Sequence, residues 1–287
     1  MTRYVIITPV RDEEQHIEAT IESVIGQTLR PAEWVIVDDG STDRTGEIID
    51  HYAARFPFIR AVHRSNRGFR QAGGGVVDAF FEGYNTLQFG NWDFIVKLDG
   101  DLGLSPDYFQ RCFEHFSERP HLGIGGGEIY HHVGGKLKLE ANPRFHVRGA
   151  TKIYRRACWE AIGGLWPAPG WDTVDEVKAN MLGWKTSSFE DLRLIHHRLT
   201  GAADGLLRDR VKYGSVCFTC GYHPLFVLAR CLYRLVRKPY IIGSLAILFG
   251  FLKGYFTHMP RVNDERLIRY VRAQQLRRLF GLKTIWR

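Results

Sequence analysis

The chain has 287 residues, 45% hydrophobic and 24% charged, enough for one large domain or two modest ones and the composition of a folded protein. Its five cysteines, an odd count, exclude a disulfide framework; Cys217-Phe-Thr-Cys220 has C-x-x-C spacing, but no second pair or histidine cluster completes a zinc site. The net charge of +8 is uneven: from Thr200 onward 16 Lys/Arg face 4 Asp/Glu, a net of +12 that leaves −4 for the first 199 residues, so the tail is expected to meet an anionic surface, membrane lipid or nucleic acid.

In chain order, Tyr4 to Pro9 is a β-branched run closed by proline, a first buried strand. No signal-peptide core or cleavage site is visible there, so a reducing cytoplasm is the default compartment. Asp12 to Gln27 has Ile17, Ile21, Val24 and Ile25 at helical spacing. Trp34 to Ser41 is a second strand, ending in Asp38-Asp39-Gly40, and Thr42 or Asp43 can cap the helix that follows. Phe58 to Val62 is a third strand. The loop Arg64-Ser65-Asn66-Arg67-Gly68 leads into a helix from about Gln71 to Leu87. Phe94-Ile95-Val96 starts a fourth strand that ends in Asp99-Gly100-Asp101.

Strand and helix in alternation predict a parallel sheet covered by helices on both faces. Ligands of such sheets bind outside the C-terminal strand ends. Thr8-Pro9, Asp38-Asp39 and Asp99-Asp101 all fall there. Two carboxylates one residue apart repel each other and call for a hard cation; Mg²⁺ or Mn²⁺ suits them and keeps positions open for substrate phosphates. Alone, such a pair is also an ordinary Asp-Gly turn. Asp38 or Asp39 can accept hydrogen bonds from a base or ribose, and Arg67 or Arg70 can neutralise phosphate or pair with an acid. Together these groups fit a nucleotide-diphosphate ligand. No G-x-G-x-x-G opens the first helix, which disfavours Rossmann-type dinucleotide binding.

Past Leu98 the pattern is less regular. Gly123 to Gly127 is glycine-rich and is expected to bring backbone close to a ligand or to the sheet. Arg148 to Tyr154 runs from a loop into a short strand, and Gly163-Gly164-Leu165 ends a short helix. Trp171-Asp172-Thr173-Val174-Asp175-Glu176 opens another helix, where the acids have an ordinary capping and dipole role as one reading. A strand from about Trp184 to Ile195 ends in His196-His197. Either histidine is a candidate metal or phosphate ligand, with a structural role as the plainer reading.

The first 200 residues resemble family 2 glycosyltransferases of the GT-A fold. The matching stretches are Thr8-Pro9-Val10-Arg11-Asp12-Glu13-Glu14, Val37-Asp38-Asp39-Gly40-Ser41-Thr42-Asp43, Asn66-Arg67-Gly68 and Leu98-Asp99-Gly100-Asp101. The second, with the D-x-D about 60 residues on, is the most specific. The resemblance implies a GT-A nucleotide-diphospho-sugar transferase fold over 1–200, and transfer of a sugar with inversion from a nucleotide-diphosphate-sugar to an acceptor hydroxyl. It implies donor contacts from Thr8, Pro9, Arg11, Glu13, Asp38, Asp39, Asn66, Arg67, Arg70 and Asp99. Mn²⁺ or Mg²⁺ would sit on Asp101, with Asp99 and His197 as further ligands, and Gly163, Gly164 and Leu165 would stand on the acceptor side. Gly183-Trp184-Lys185 matches a family turn that places the base about three helical turns earlier, at Asp172, with Asp175 and Glu176 as alternatives. Trp171 stands where the family usually has Glu.

After Thr200 the character changes. Pro239 to Leu252 is 14 residues without a charge between Lys238 and Lys253. That is short of the roughly 20 residues of a bilayer-spanning helix. Basic flanks and aromatic edges suit a helix lying in the membrane interface, and a packing helix is the alternative. Asp264 to Phe280 is a helix with a basic face. Gln275-Leu276-Arg277-Arg278-Leu279 has Q-x-x-R without the tryptophan of processive relatives, so polymer extrusion is not expected. Residues 201–287 therefore read as a basic, apolar helical extension at the cytoplasmic membrane face, with a glycan or lipid-linked acceptor and no nucleic-acid partner. The competing readings are a non-catalytic nucleotide-binding scaffold and a sugar-phosphate nucleotidyltransferase. Arg11-Asp12-Glu13-Glu14 is too acidic for the phosphate loop of the latter.

Overall fold

The computed structural model describes residues 2–68, 74–198, 205–236 and 238–286. The first half alternates as expected: β1 (Tyr4–Val10), α1 (Ile17–Ile25), β2 (Glu33–Asp38), α2 (Thr45–Arg55), β3 (Ile59–His63), α3 (Gly74–Asn85) and β4 (Phe94–Leu98). All positions of β1, β2 and β4 are buried. Strands without a solvent face must lie inside a sheet covered on both sides. The parallel order is β3-β2-β1-β4. α1 buries Ile17, Ile21, Val24 and Ile25 on one face of the sheet, and α3 buries Val77 and Phe80 on the other. Burial of each such side chain stabilises by about 1.5–3 kcal/mol. α3 lies close to the sheet at Gly83, where a Cβ would come within 2.8 Å of Ile7 and Val37.

The second half adds β5 (Leu102–Gly103), α4 (Tyr108–Glu118), β6 (Leu122–Val133), β7 (Lys136–Leu139), β8 (Thr151–Arg155), α5 (Arg156–Ile162), α6 (Trp171–Met181) and β9 (Lys185–His196). β8 runs antiparallel to β4 and sets Lys152 directly opposite Lys97. β6 lies antiparallel to β8 and parallel to β9, β5 pairs with β9, and β7 hairpins onto β6. The result is a curled nine-stranded α/β sheet flanked by helices, the expected fold class, parallel in its first half and mixed in its second. The glycine run 123–127 is the buried core of β6. Added methyls would meet the Phe189 ring at 2.5 Å from Gly125 and the Leu192 carbonyl at 2.6 Å from Gly127.

The chain closes with α7 (Leu206–Thr219), α8 (Pro224–Arg234), α9 (Tyr240–Phe256) and α10 (Glu265–Leu279). No described helix is long and apolar enough to cross a membrane. α9 buries Gly243, Ser244, Ile247, Gly250, Phe251 and Gly254 on one side. Its crossing with α7 is backbone to backbone: a Cβ at Gly214 would lie 2.0 Å from the Ile247 carbonyl, and one at Gly250 2.0 Å from the Val211 carbonyl. The opposite side of α9 exposes Tyr240, Ile241, Ile242, Leu245, Phe249 and Phe256. The extension shares a core with the sheet domain, because Leu267 and Val271 of α10 cluster with Val174 and Val177 of α6.

Candidate active site

Two groups of side chains meet where β4 ends and β8 begins. The first is the Asp99–Asp101 turn. Lys97 is nearly fully buried and its ammonium bonds the Asp99 carboxylate. Asp101 Oδ2 lies 3.1 Å from His196 Nε2. Burial works to raise the Asp101 pKa, but the His196 bond and the nearby charges of His196, Arg198 and Lys97 hold it below the usual carboxylate range. Burial works against the His196 cation, yet Asp101 raises the histidine overall. Ligand atoms of Asp99, Asp101 and His196 all lie within 4.8 Å of one another, and His196 Nδ1 is buried without a partner. Two carboxylates and one imidazole suit a divalent ion of the Mn²⁺ or Mg²⁺ type.

His197 does not join this set. The two histidines are adjacent at a strand end and turn opposite ways. The His197 ring stacks on His16 at 5.8 Å and its Nε2 lies against Gly103. Burial and the His16 charge lower its pKa. The metal-ligand expectation therefore moves from His197 to His196.

The second group is the start of α6. Its three acids have different surroundings. Asp175 is 2% exposed; Lys152 Nζ bonds both its oxygens at 2.9 and 3.0 Å, and the Tyr154 hydroxyl donates to one of them. Glu176 is fully buried among Lys152 Nζ at 2.9 Å, His146 Nδ1 at 2.8 Å and the Val147 N–H at 2.7 Å. Burial pushes the Asp175 pKa up to about 6, with the Lys152 charge and the Tyr154 bond opposing it. A raised pKa is one mark of a catalytic base, but geometry comes first. The Asp175 oxygens are taken up by these donors, although the residue also lines a second cleft with Gly163, Gly164 and Leu165. Asp172 is half-buried on the first helical turn. Its carbonyl accepts from Lys152 at 2.5 Å, and its carboxylate makes no hydrogen bond or ion pair with described residues. It opens on a cleft of about 930 Å³.

The two groups are joined by Trp171, whose ring centre lies 5.5 Å from both the Lys97 and the Lys152 ammonium. The start of α6 is fixed from behind. Gly170 has φ 93°, and a Cβ there would lie 2.6 Å from Sγ of Cys220, the residue that follows α7. Only glycine meets both conditions.

The donor-side candidates form one connected edge. Asp39 is gripped by Arg64 at 2.7 Å and by Arg67. Arg11 donates to the Asp39 carbonyl at 3.3 Å and to Asn66 Oδ1 at 2.9 Å. Glu13 pairs with Arg198 at 2.6 Å. Asp38 is committed to its own turn, accepting from the Ser41 N–H at 2.8 Å and lying 3.2 Å from His63 Nδ1. Pro9 is buried. The Thr8 hydroxyl is fully buried and accepts from the Trp34 indole at 2.9 Å, so this side chain serves the core and the expected donor contact is displaced. Arg70 lies outside the described residues. Gly163 and Gly164, at φ 74° and 79°, form the left-handed turn that ends α5. With Leu165 they line a separate cleft against α10, away from the Asp172 carboxylate.

The family profile of glycosyl transferase family 2 matches residues 5–166. The chain belongs to this family. Among similar proteins, an uncharacterised glycosyltransferase, EpsJ, of Bacillus subtilis is 35% identical over 143 residues, covering 48% of this chain and 38% of that one. A chondroitin synthase of Escherichia coli is 31% identical over 111 residues, 39% of this chain and 15% of its own. The chain thus matches less than two fifths of the length of these curated relatives. Among solved structures, a Staphylococcus aureus TarS fragment in complex with UDP superposes with a TM-score of 0.55 at 17% identity, over 89% of this chain and 72% of that one. The mannosyltransferase PcManGT of Pyrobaculum calidifontis, in complex with GDP-Man and Mn²⁺, gives 0.56 at 16%, over 98% and 76%. At such identity the likeness concerns the fold. The family member described here therefore has its D-x-D and its candidate base on the framework these proteins share.

Proposed function

We propose that the protein is an inverting glycosyltransferase that moves a sugar from a nucleotide-diphosphate-sugar to an acceptor hydroxyl of a lipid-linked or envelope glycan, at the cytoplasmic face of a membrane. One observation carries the reading. A carboxylate without a partner among the described residues, Asp172, lines a cleft and follows a ring that lies 5.5 Å from Lys97, the lysine bonded to Asp99. Asp172 takes the proton of the acceptor hydroxyl. The acceptor oxygen forms its bond to the anomeric carbon from the face opposite the leaving group. The bond to the donor phosphate breaks, and its electron pair leaves with the nucleoside diphosphate. Arg11, Arg64, Arg67 and Asn66 border the donor edge, and Arg67 carries positive charge for the phosphates. Trp171 and Lys152 hold the Asp172 backbone in place, so the base is positioned before substrate arrives.

Asp101, Asp99 and His196 would hold Mn²⁺ or Mg²⁺, which supplies charge neutralisation at the diphosphate when bound. The complexes of UDP with TarS and of GDP-Man and Mn²⁺ with PcManGT support a nucleotide-sugar donor of this kind. The exposed apolar side of α9, set between Lys238 and Lys253, supports attachment in the membrane interface. The test is a thermal-shift panel of uridine and guanosine diphospho-sugars with and without Mn²⁺. A binding donor raises the melting temperature by mass action. The Asp101→Asn variant is expected to lose the Mn²⁺-dependent part of the shift. An undiminished shift in that variant would remove Asp101 from the metal site, and no shift with any donor in the wild type would remove the donor assignment.

A further inference from the structure

The 930 Å³ cleft in front of Asp172 is walled by the loop before β8 on one side and by α7, α8 and α10 on the other. Its volume is that of a typical small-ligand site. Three features describe what it would accept. The first is charge: five lysine and arginine side chains line it against two carboxylates, Asp172 and Asp209. The donor is also anionic, but Asp38, Asp39, Asp99 and Asp101 do not line this cleft, so its charge serves another ligand. The second is position. Lys212 of α7 and Arg230 and Arg234 of α8 line one wall, the two arginines one turn apart and so on one face of the helix. The Arg230 guanidinium stands over the Tyr213 ring at 4.9 Å, which holds it at the wall.

The third feature is continuity with the outer surface. Phe226 and Tyr233 of α8 line the cleft. Tyr233 is 61% exposed, and its neighbours Leu232 and Val236 are 58% and 80% exposed. The next helix, α9, also carries exposed apolar side chains, among them Ile241, Ile242 and Leu245. Tyr233 thus joins the cleft to the exposed apolar side chains of α8, along which the apolar tail of a ligand seated at the arginines can lie.

We propose that this cleft is the acceptor site and that it takes a lipid-linked acceptor through its phosphate, which Lys212, Arg230 and Arg234 hold while the apolar chain exits along α8. The assignment rests on the glycosyltransferase reading and names the acceptor class for it. The experiment compares decyl phosphate, decanol and inorganic phosphate as ligands of the wild-type protein by titration calorimetry, with Mn²⁺ and nucleotide-sugar binding measured in parallel. Decyl phosphate is expected to bind at least tenfold tighter than either of the others. Arg230→Gln/Arg234→Gln is expected to weaken it at least tenfold. Inorganic phosphate binding as tightly would mean a site for a free anion, and decanol binding as tightly would mean a site blind to phosphate; either overturns the proposal. An undiminished affinity in the double variant overturns it as well. Should that variant fail to fold, the three-ligand comparison on the wild type decides. If nucleotide-sugars bind and decyl phosphate does not, the acceptor assignment alone falls. If decyl phosphate binds as expected and no nucleotide-sugar does, the cleft stands as a lipid-phosphate site and the glycosyltransferase reading falls.

Discussion

The surroundings of the α6 acids predict opposite phenotypes for two substitutions three residues apart. In Asp175→Asn the fully buried Lys152 keeps Glu176 but loses its second carboxylate. The new amide also brings N–H donors to a place already filled by donors from Lys152, Tyr154 and the Glu176 backbone. Breaking a buried pair costs about 3–5 kcal/mol. Glu176 retains part of the compensation, so about 3 kcal/mol is expected, a fall in melting temperature of roughly 6–10 °C for a chain of this size. In Asp172→Asn no pair is broken. The loss is the interaction of a half-buried carboxylate with the helix N-terminus, about 0.3–1 kcal/mol and about 1–3 °C. Release of nucleoside diphosphate in the presence of acceptor should instead drop by about 10²–10⁴-fold, the usual contribution of a general base. The assays are thermal denaturation and single-turnover kinetics on both variants. Near-normal turnover in Asp172→Asn would refute the assignment. So would an Asp175→Asn variant of wild-type stability that has lost turnover, because that would make Asp175 the base.

Three further outcomes follow from the same structure. Gly250→Ala sets a methyl against the Val211 carbonyl at 2.0 Å; it should destabilise by about 3 kcal/mol, and an unchanged urea midpoint would show that α7 and α9 do not cross there. His146 lies 2.8 Å from Glu176, with Lys152 and Asp172 also acting on it; burial lowers its pKa, but Glu176 raises it overall. A raised histidine contributes stability that is fully present below its unfolded value near 6.5 and is lost as pH rises through the folded value. His146→Gln should therefore cost about 1–2 kcal/mol at pH 5.5 and less at pH 9 in denaturant titrations, whereas an equal cost at both would deny the charged pair. Leu245→Asp with Phe249→Asp, both on the exposed side of α9, should lower co-sedimentation with anionic liposomes at least tenfold, and unchanged binding would exclude α9 as the attachment face.

The sheet edge was legible in the sequence because β2 and β4 are each a short apolar run closed by a carboxylate. That pattern placed Asp39, Asp99 and Asp101 at one edge without any knowledge of pairing. What the pattern leaves open depends on pairing or on side-chain direction. His196 and His197 differ by one residue at a strand end, and that residue decides which ring faces Asp101. Thr8 lies two residues before the end of β1, and its hydroxyl turns inward to Trp34. The roles of Asp172 and Asp175 separate only when β8 brings Lys152 and Tyr154 beneath α6. A signal was nevertheless present: Lys97 and Lys152 each interrupt an otherwise buried strand, and a lysine there requires a partner. The hairpin at Gly134-Gly135 was likewise announced by its glycine pair. The cleft lined by α7, α8 and α10 leaves no such trace, because one wall comes from residues 142–148 and the other from residues 209–286.

The same two lysines account for the tryptophan that departs from the family pattern. Lys97 and Lys152 are direct cross-strand neighbours on antiparallel strands, an arrangement that like charges normally make unfavourable. Each is matched separately here, Lys97 by Asp99 and Lys152 by Asp175 and Glu176. Trp171 lies 5.5 Å from both, where its ring attracts the two ammonium groups. A glutamate at this position would add a carboxylate in competition for Lys97. Asp99 would then be released to act as a full anion beside Asp101. With tryptophan in place, Asp99 is paired with Lys97, and Asp101 with His196. The ring that lies over both lysines immediately precedes Asp172 in the chain, so one packing arrangement ties the Asp99–Asp101 turn, through Lys97, to the start of α6.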